Sequence, residues 1–352
     1  MAAGDGTAAM APAVGARRDV VLGGQVGDLY RSPVPMAALV MVPGVTPEGR
    51  DDPRLIAFAA SLAEHGFLVF VPELPGLRQQ RVGRDDPPAI AAAVDALATC
   101  FPAGEQPRLA VAAISYAVAP ALVAATLPGA RERIGLVIGI GGYHSAIAAV
   151  TYITTGRYRP GPGSPWVRGD PRPIARWVFL LAGAAQLPDP QDRAILSAIG
   201  RAGLADPTAD PPGLAAGLGP GGRAMLELAL NRDPDRVPAL LAALPAPVRA
   251  EIAALDPAQL PLERLSARLL LIHGRDDPVI PASESRALAA AVPPGNADVY
   301  VVGNLGHVDI GPGGLADTLL LWQASYRLLA QRDGLSVPAP ARCALATTSA
   351  PG

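Results

Sequence analysis

From about Val20 to Val150 the chain alternates short apolar runs with amphipathic ones, and from about Arg264 to Ala330 the same alternation returns. Between them, from about Thr151 to Leu262, the alternation stops. That stretch holds helix-like pieces such as DPQDRAILSAIGRAG and RVPALLAAL, broken by repeated Asp-Pro and Pro-Pro steps. Strand-then-helix alternation argues for a parallel sheet covered by helices on both faces. Asp-Pro fits a helix start, with Asp capping and Pro in the first helical position. The expected fold class is therefore α/β, a mostly parallel sheet flanked by helices and interrupted by an inserted helical cap.

The individual elements follow from period and punctuation. Strands are expected over Met36–Pro43, Phe67–Pro72, Leu109–Ile114, Gly135–Ile140, Ala267–Gly274 and Ala297–Gly303. Leu55, Phe58, Ala59 and Leu62 share one helical face, closed by Gly66. Further helices are expected over Pro88–Cys100, Tyr116–Thr126, Ser283–Ala291 and Gly314–Ala330. The domain organisation that results is a disordered tail over 1–17, a core over 18–150, a helical cap over 151–262, the rest of the core over 263–332, and a disordered tail over 333–352.

Composition narrows the chemistry. Half the residues are hydrophobic, enough for a sizeable core. Formal net charge is −2, without the basic footprint of a nucleic-acid binder. All 29 basic residues are Arg, and that excludes a Ser–Lys dyad, a Schiff-base lysine, a pyridoxal-phosphate anchor and a P-loop lysine. Bias toward Ala, Arg, Gly and Pro fits a GC-rich genome. Cys100 and Cys343 have no short CxxC spacing, so neither a structural zinc site nor a disulfide framework is expected. That cysteine usage suits a reducing cytoplasm. The N-terminus has no basic region ahead of an apolar core and reads as a tail rather than a signal peptide. A cytoplasmic location is expected.

Leu109–Ala130 and Gly135–Tyr152 are long uncharged stretches, and a hydropathy window would flag the first as membrane-spanning. Pro120 interrupts the first, and Gly141-Gly142-Tyr143-His144 the second. A buried parallel strand followed by a buried helix gives the same hydropathy. No stable membrane insertion is expected.

Three polar residues fall just after predicted strands. Ser115 stands where the run RLAVAAI passes into a helix, Asp277 follows the strand LLLIHG, and His307 follows VYVVG. Each taken singly has a structural explanation: a small residue at a tight turn, a helix-starting Asp before Pro278, a loop histidine. Asp276 could start that helix equally well. Taken together they have a chemical one. A serine hydroxyl needs an adjacent base, an imidazole can take and return its proton, and a carboxylate can orient that imidazole. Ser, then Asp, then His is a known chain order for this arrangement. Strand C-termini are where open α/β sheets place their sites.

These segments resemble the α/β-hydrolase superfamily over about Val20–Val150 and Arg264–Ala330. The nucleophile motif G-x-S-x-G is matched by Ala113-Ile114-Ser115-Tyr116-Ala117, with alanine at both glycine positions. HGRDDPVIP is similar to the family's acid-bearing loop, which puts the acid at Asp277 with Asp276 the alternative. Asn304-Leu305-Gly306-His307 looks like its histidine loop. The resemblance implies an oxyanion hole made by the backbone N–H groups of Tyr116 and Val45, with Gly44 allowing close approach. Pro43 stands where the family often has histidine. Tyr143 and His144 are candidates for the substrate pocket, or else hold a structural place at the hinge into the inserted segment. His273 is expected in the strand-to-loop turn, His65 at a helix end, and Glu73 in a structural role. Trp166, Trp177 and the Leu-rich cap point to an apolar acyl or alcohol group, or else are cap core.

The implied activity is that of a serine hydrolase acting on a carboxylic ester, with thioester or amide next. The implied partner is a small acyl substrate, with no nucleic acid, no metal and no cofactor. Two alternatives stay open: a catalytically silent relative used for binding, and an acyltransferase using the same three residues.

Overall fold

The computed structural model describes residues 15–102, 107–207, 213–307, 311, 314–335, 343 and 346–347. The strands are β1 (Arg17–Leu22), β2 (Gln25–Arg31), β3 (Ala37–Val42), β4 (Phe67–Pro72), β5 (Leu109–Ile114), β6 (Ile134–Ile140), β7 (Arg157–Tyr158), β8 (Val167–Arg168), β9 (Arg268–Gly274), β10 (Ala297–Val302) and β11 (Ala346–Thr347). The helices are α1 (Pro53–Glu64), α2 (Pro75–Arg78), α3 (Asp86–Ala98), α4 (Val118–Ala124), α5 (Ala130–Arg133), α6 (Ala146–Thr155), α7 (Ile174–Ala185), α8 (Pro190–Ala205), α9 (Pro220–Leu230), α10 (Val237–Ala242), α11 (Ala246–Ala254), α12 (Ser283–Ala291) and α13 (Leu315–Leu335).

One sheet runs β10-β9-β6-β5-β3-β4-β2-β1-β11. The strands from β10 to β4 pair in parallel, while β2, β1 and β11 pair antiparallel at one edge. β3 and β4 are buried at every position, because helices cover both faces and leave no polar side. Separate hydrophobic clusters fill the two faces, one around Val40, Val111 and Leu122, the other around Leu39, Met41 and Leu62. The strand order reverses at β3, which has β4 on one side and β5 on the other. The crevice beyond the carboxyl ends of β3 and β5 is therefore the switch point where ligands bind in such sheets.

Four of the Asp-Pro steps behave as caps. Asp52, Asp189, Asp233 and Asp256 each accept from the N–H two residues on, with the next residue a proline at the head of a helical turn. The helices from α6 to α11 pack around a cluster of their own that includes Trp177, Leu196, Met225 and Leu228. β7 and β8 form a small ribbon within this stretch. Helix α6 begins at Ala146, so the helical stretch starts a few residues ahead of the expected boundary at 151.

Three expectations change. Cys100 and Cys343 are joined in a disulfide, although no disulfide was expected. Spacing rules detect cysteines close in sequence, and these are 243 residues apart. The pairing also removes the ground on which cysteine usage suited a reducing cytoplasm. The tail beyond 332 is not wholly disordered: α13 continues to Leu335, and β11 pairs with β1. A strand of two residues is a weak hold, and the disulfide three residues before it supplies a covalent one. At the other end, β1 starts at Arg17, inside the expected tail, while 1–14 lie outside the described residues.

Among the described residues no single helix is long and apolar enough to cross a membrane. One bent pair, Pro234–Ala242 with Ala246–Ala254, passes on length and composition together. Its Val237, Leu240 and Val248 are buried in the helical cluster.

Candidate active site

Ser115 directly follows β5 and has a φ of 58°, in the left-handed region that a serine rarely occupies. A short 3-10 turn, Ser115–Ala117, leads into α4, so the expected helix begins with a tighter turn. Backbone held this way costs on the order of 1–3 kcal/mol and persists only when its surroundings over-determine it. The alanines that replace the motif's glycines, Ala113 and Ala117, are both fully buried. Room for the turn comes from the neighbouring strand instead. A Cβ on Gly142 would lie 2.4 Å from the Cβ of Val118, so glycine there lets the start of α4 approach the end of β6.

Asp277 follows β9 in one more Asp-Pro step. Its Oδ1 accepts from the Val279 N–H at 2.7 Å and the Ile280 N–H at 3.0 Å. No helix starts at Pro278, so Asp277 is not a helix cap; its carboxylate fixes the bend of the loop instead. Two amides fix its first oxygen, and its second, Oδ2, faces His307 Nδ1 at 2.8 Å. Asp277 is buried, whereas Asp276 is exposed, which decides between the two. Burial by itself would raise the Asp277 carboxyl, but hydrogen bonds from His273 and His307 outweigh it and hold it below the usual carboxylate range.

His307 lies beyond β10. Its loop passes over the end of β9, where a Cβ on Gly274 would stand 2.2 Å from the Leu305 carbonyl oxygen. Only glycine admits that crossing. His307 Nε2 lies 2.5 Å from Ser115 Oγ. With the ring proton on Nδ1 and donated to Asp277, Nε2 is left to accept the serine proton. Ser115, His307 and Asp277, drawn from the ends of β5, β10 and β9, therefore form one continuous hydrogen-bonded chain.

His273 is wholly buried near the end of β9, with Nδ1 at 2.7 Å from Ser285 Oγ and Nε2 at 2.8 Å from the Ile280 carbonyl. It braces the acid loop from behind. His65 closes α1 against the Ser61 carbonyl. Glu73 pairs with Arg50 and Arg78, in keeping with a structural role. Arg50 also pairs with Asp28 and Asp19, so the loop after β3, which carries Gly44 and Val45, is tied to β1, β2 and β4 by one ion network.

A cavity of about 1040 Å³ opens above Ser115 and His307. Gly44, Val45, Tyr116 and Tyr143 line it. A Cβ on Gly44 would meet Ile114 O no closer than 3.5 Å, so the protein itself does not demand glycine there. His144 is not among the lining residues; its N–H donates to Glu284 Oε2 at 3.0 Å. Nor do the two tryptophans line it. Trp177 is core of the helical stretch, and Trp166 lies under the Arg159 guanidinium while donating to Asp235. The apolar walls come from Ile153, Val178, Phe179 and Ile252 above, and from Leu55, Phe58 and Leu328 below. Among the described residues no group of three metal-ligating side chains occurs.

Strands in this order, with a left-handed serine at the switch point and an acid and a histidine on the next carboxyl ends, define the architecture. The fold is that of the α/β-hydrolases. No family model matches the chain, and no curated protein sequence does. Solved structures similar to it include a meta-cleavage product hydrolase from Pseudomonas fluorescens IP01, at 14% identity and a TM-score of 0.43, covering 90% of this chain and 97% of that one. A serine hydrolase from the polyaromatic hydrocarbon-degrading bacterium Cycloclasticus zankles gives 13% and 0.46, over 90% and 98%. An esterase from Rhodococcus sp. ECU1013 gives 19% and 0.43, over 88% and 98%. The fold assignment rests on the chain's own strand order and turn.

Sequence reasoning missed two features of the site. The Tyr116 phenol donates to Asp86 Oδ2 at 2.8 Å, and His273 supports Asp277. His273 had a signal in its position four residues before the acid. Tyr116 with Asp86 had none, because thirty residues separate them.

Proposed function

We propose that the protein hydrolyses a carboxylic ester through an acyl-enzyme on Ser115. The observation that carries this reading is the chain from Ser115 Oγ to His307 Nε2 and from His307 Nδ1 to Asp277 Oδ2, at 2.5 and 2.8 Å. His307 takes the serine proton as Oγ attacks the acyl carbonyl, then returns it to the departing alkoxide. Asp277 keeps the ring oriented and offsets its positive charge. The Tyr116 N–H, in the opening turn of a helical segment, is one of the donors that such a turn leaves unpaired. With the Val45 N–H it forms the oxyanion hole for the tetrahedral intermediate. Water enters, His307 activates it, and the carboxylic acid leaves. The apolar cavity walls favour an apolar acyl or alcohol group.

A panel of p-nitrophenyl esters of rising acyl length, run on wild type and Ser115→Ala, tests this. Wild type turns over at least one ester, and Ser115→Ala loses kcat by about 10⁶-fold, the scale seen when a triad nucleophile is removed. Undiminished turnover in Ser115→Ala would sink the mechanism.

A further inference from the structure

The pair Tyr116–Asp86 does something that neither the fold nor the three-residue chain requires. The phenol of Tyr116 donates to Asp86 Oδ2 at 2.8 Å, and the same oxygen accepts from the Gly83 N–H at 3.0 Å. Asp86 is buried in the first turn of α3, a helix that packs against α4 and β5 on either side of the turn at Ser115. Tyr116 lines the cavity, and the peptide joining it to Ser115 carries the N–H assigned above to the oxyanion hole.

That peptide needs outside support. Ser115 sits at a φ of 58°, and a strained backbone relaxes unless its neighbours hold it. The other side chains of the turn, Ile114, Ala117 and Val118, are apolar and offer packing without direction. Besides the Ser115 hydroxyl, which bonds to His307, the phenol is the one side chain of the turn that makes a directed bond to a separate element. Burial, and then the nearby Asp86 carboxylate, raises the Tyr116 phenol far above its ordinary value, so its proton stays on to be donated.

We infer that Tyr116 and Asp86 together are positioning residues: the hydrogen bond from phenol to carboxylate holds the Ser115–Tyr116 peptide so that its N–H points at the developing oxyanion. This rests on the acyl-enzyme reading. A bond that served only to anchor α3 would affect stability and the yield of folded enzyme. A bond that aims an oxyanion donor affects kcat, because the donor matters most in the transition state.

The test measures kcat and KM of Tyr116→Phe on the best ester, per active site titrated with a fluorophosphonate. Asp86→Ala, Asp86→Asn and the double variant Tyr116→Phe/Asp86→Ala are measured alongside. Misaiming a donor costs less than deleting it, so Tyr116→Phe and Asp86→Ala each lose about tenfold in kcat, against about 100- to 1000-fold for a lost donor. KM stays within about twofold, since ground-state binding is untouched. Asp86→Asn keeps an acceptor oxygen for the phenol and recovers most of the rate. The double variant is no slower than either single one, as expected for two groups acting as a unit. Full kcat in Tyr116→Phe overturns the inference alone. A smaller titre of active sites with unchanged kcat per site assigns the pair to stability and also overturns it. A wild type that neither labels at Ser115 nor turns over any ester overturns the acyl-enzyme reading, and this inference with it.

Discussion

The loops at the carboxyl ends of the sheet and the helices above them divide the site between them. β3, β5, β6, β9 and β10 end side by side, and every group in the hydrogen-bonded chain comes from the turns and loops that leave these strand ends. The helical stretch from α6 to α11 contributes no member of that chain. Its Ile153, Val178, Phe179 and Ile252 form cavity wall, and its own cluster around Trp177 keeps it folded over the site. The physical difference is one of tolerance. Hydrogen-bond geometry fails when displaced by an ångström, so it is built on strand ends fixed by ladders, on both sides for β5 and β9 and on one side for the edge strand β10. An apolar wall acts through shape and area, and can be remodelled without touching the chemistry.

That division can be broken at either half. On the strand-end side, Asp277→Asn keeps the shape of the acid but loses its charge and favours the wrong tautomer of His307. It is expected to lower kcat by about 10⁴-fold on every ester of a panel alike. A loss that varied strongly with acyl length would place Asp277 in the wall rather than in the chemistry. On the helical side, Phe179→Ala enlarges the cavity. The preferred acyl chain should lengthen, with a change of about tenfold in the ratio of kcat/KM for long and short esters, the scale set by a few methylenes in an apolar pocket. A uniform fall in kcat across the panel would mean that the helical stretch contributes to the chemistry after all.

The same contrast governs what can be read from residues alone. β4, β5 and α12 fall where period and punctuation place them, because each is an apolar or amphipathic run bounded by glycine, proline or a polar turn. β1 and β2 escape such a reading: they carry Arg, Asp and Gln and lie toward a sheet edge, so they lack a continuous apolar run. Gly23-Gly24 between them was a hairpin signal that could have revealed them. Ser115, Asp277 and His307 are legible because each is tied to a strand end by local sequence. The bonds from Tyr116 to Asp86 and from Cys100 to Cys343 join residues distant in the chain, where no local rule applies. For His144 the local sequence leaves both the pocket and a structural place at the hinge open. That residue follows β6 closely, but its amide turns toward Glu284 and the ring does not reach the cavity wall.

The central claim is that Ser115 is a nucleophile activated by His307. Its most direct measurement is covalent labelling with a fluorophosphonate, followed by mass mapping of the modified peptide in wild type, Ser115→Ala and His307→Ala. Stoichiometric label on Ser115 in the wild type, none in Ser115→Ala and a strongly slowed reaction in His307→Ala are the predicted results. Folded wild-type protein that takes no label, or takes it at another serine, would contradict the account.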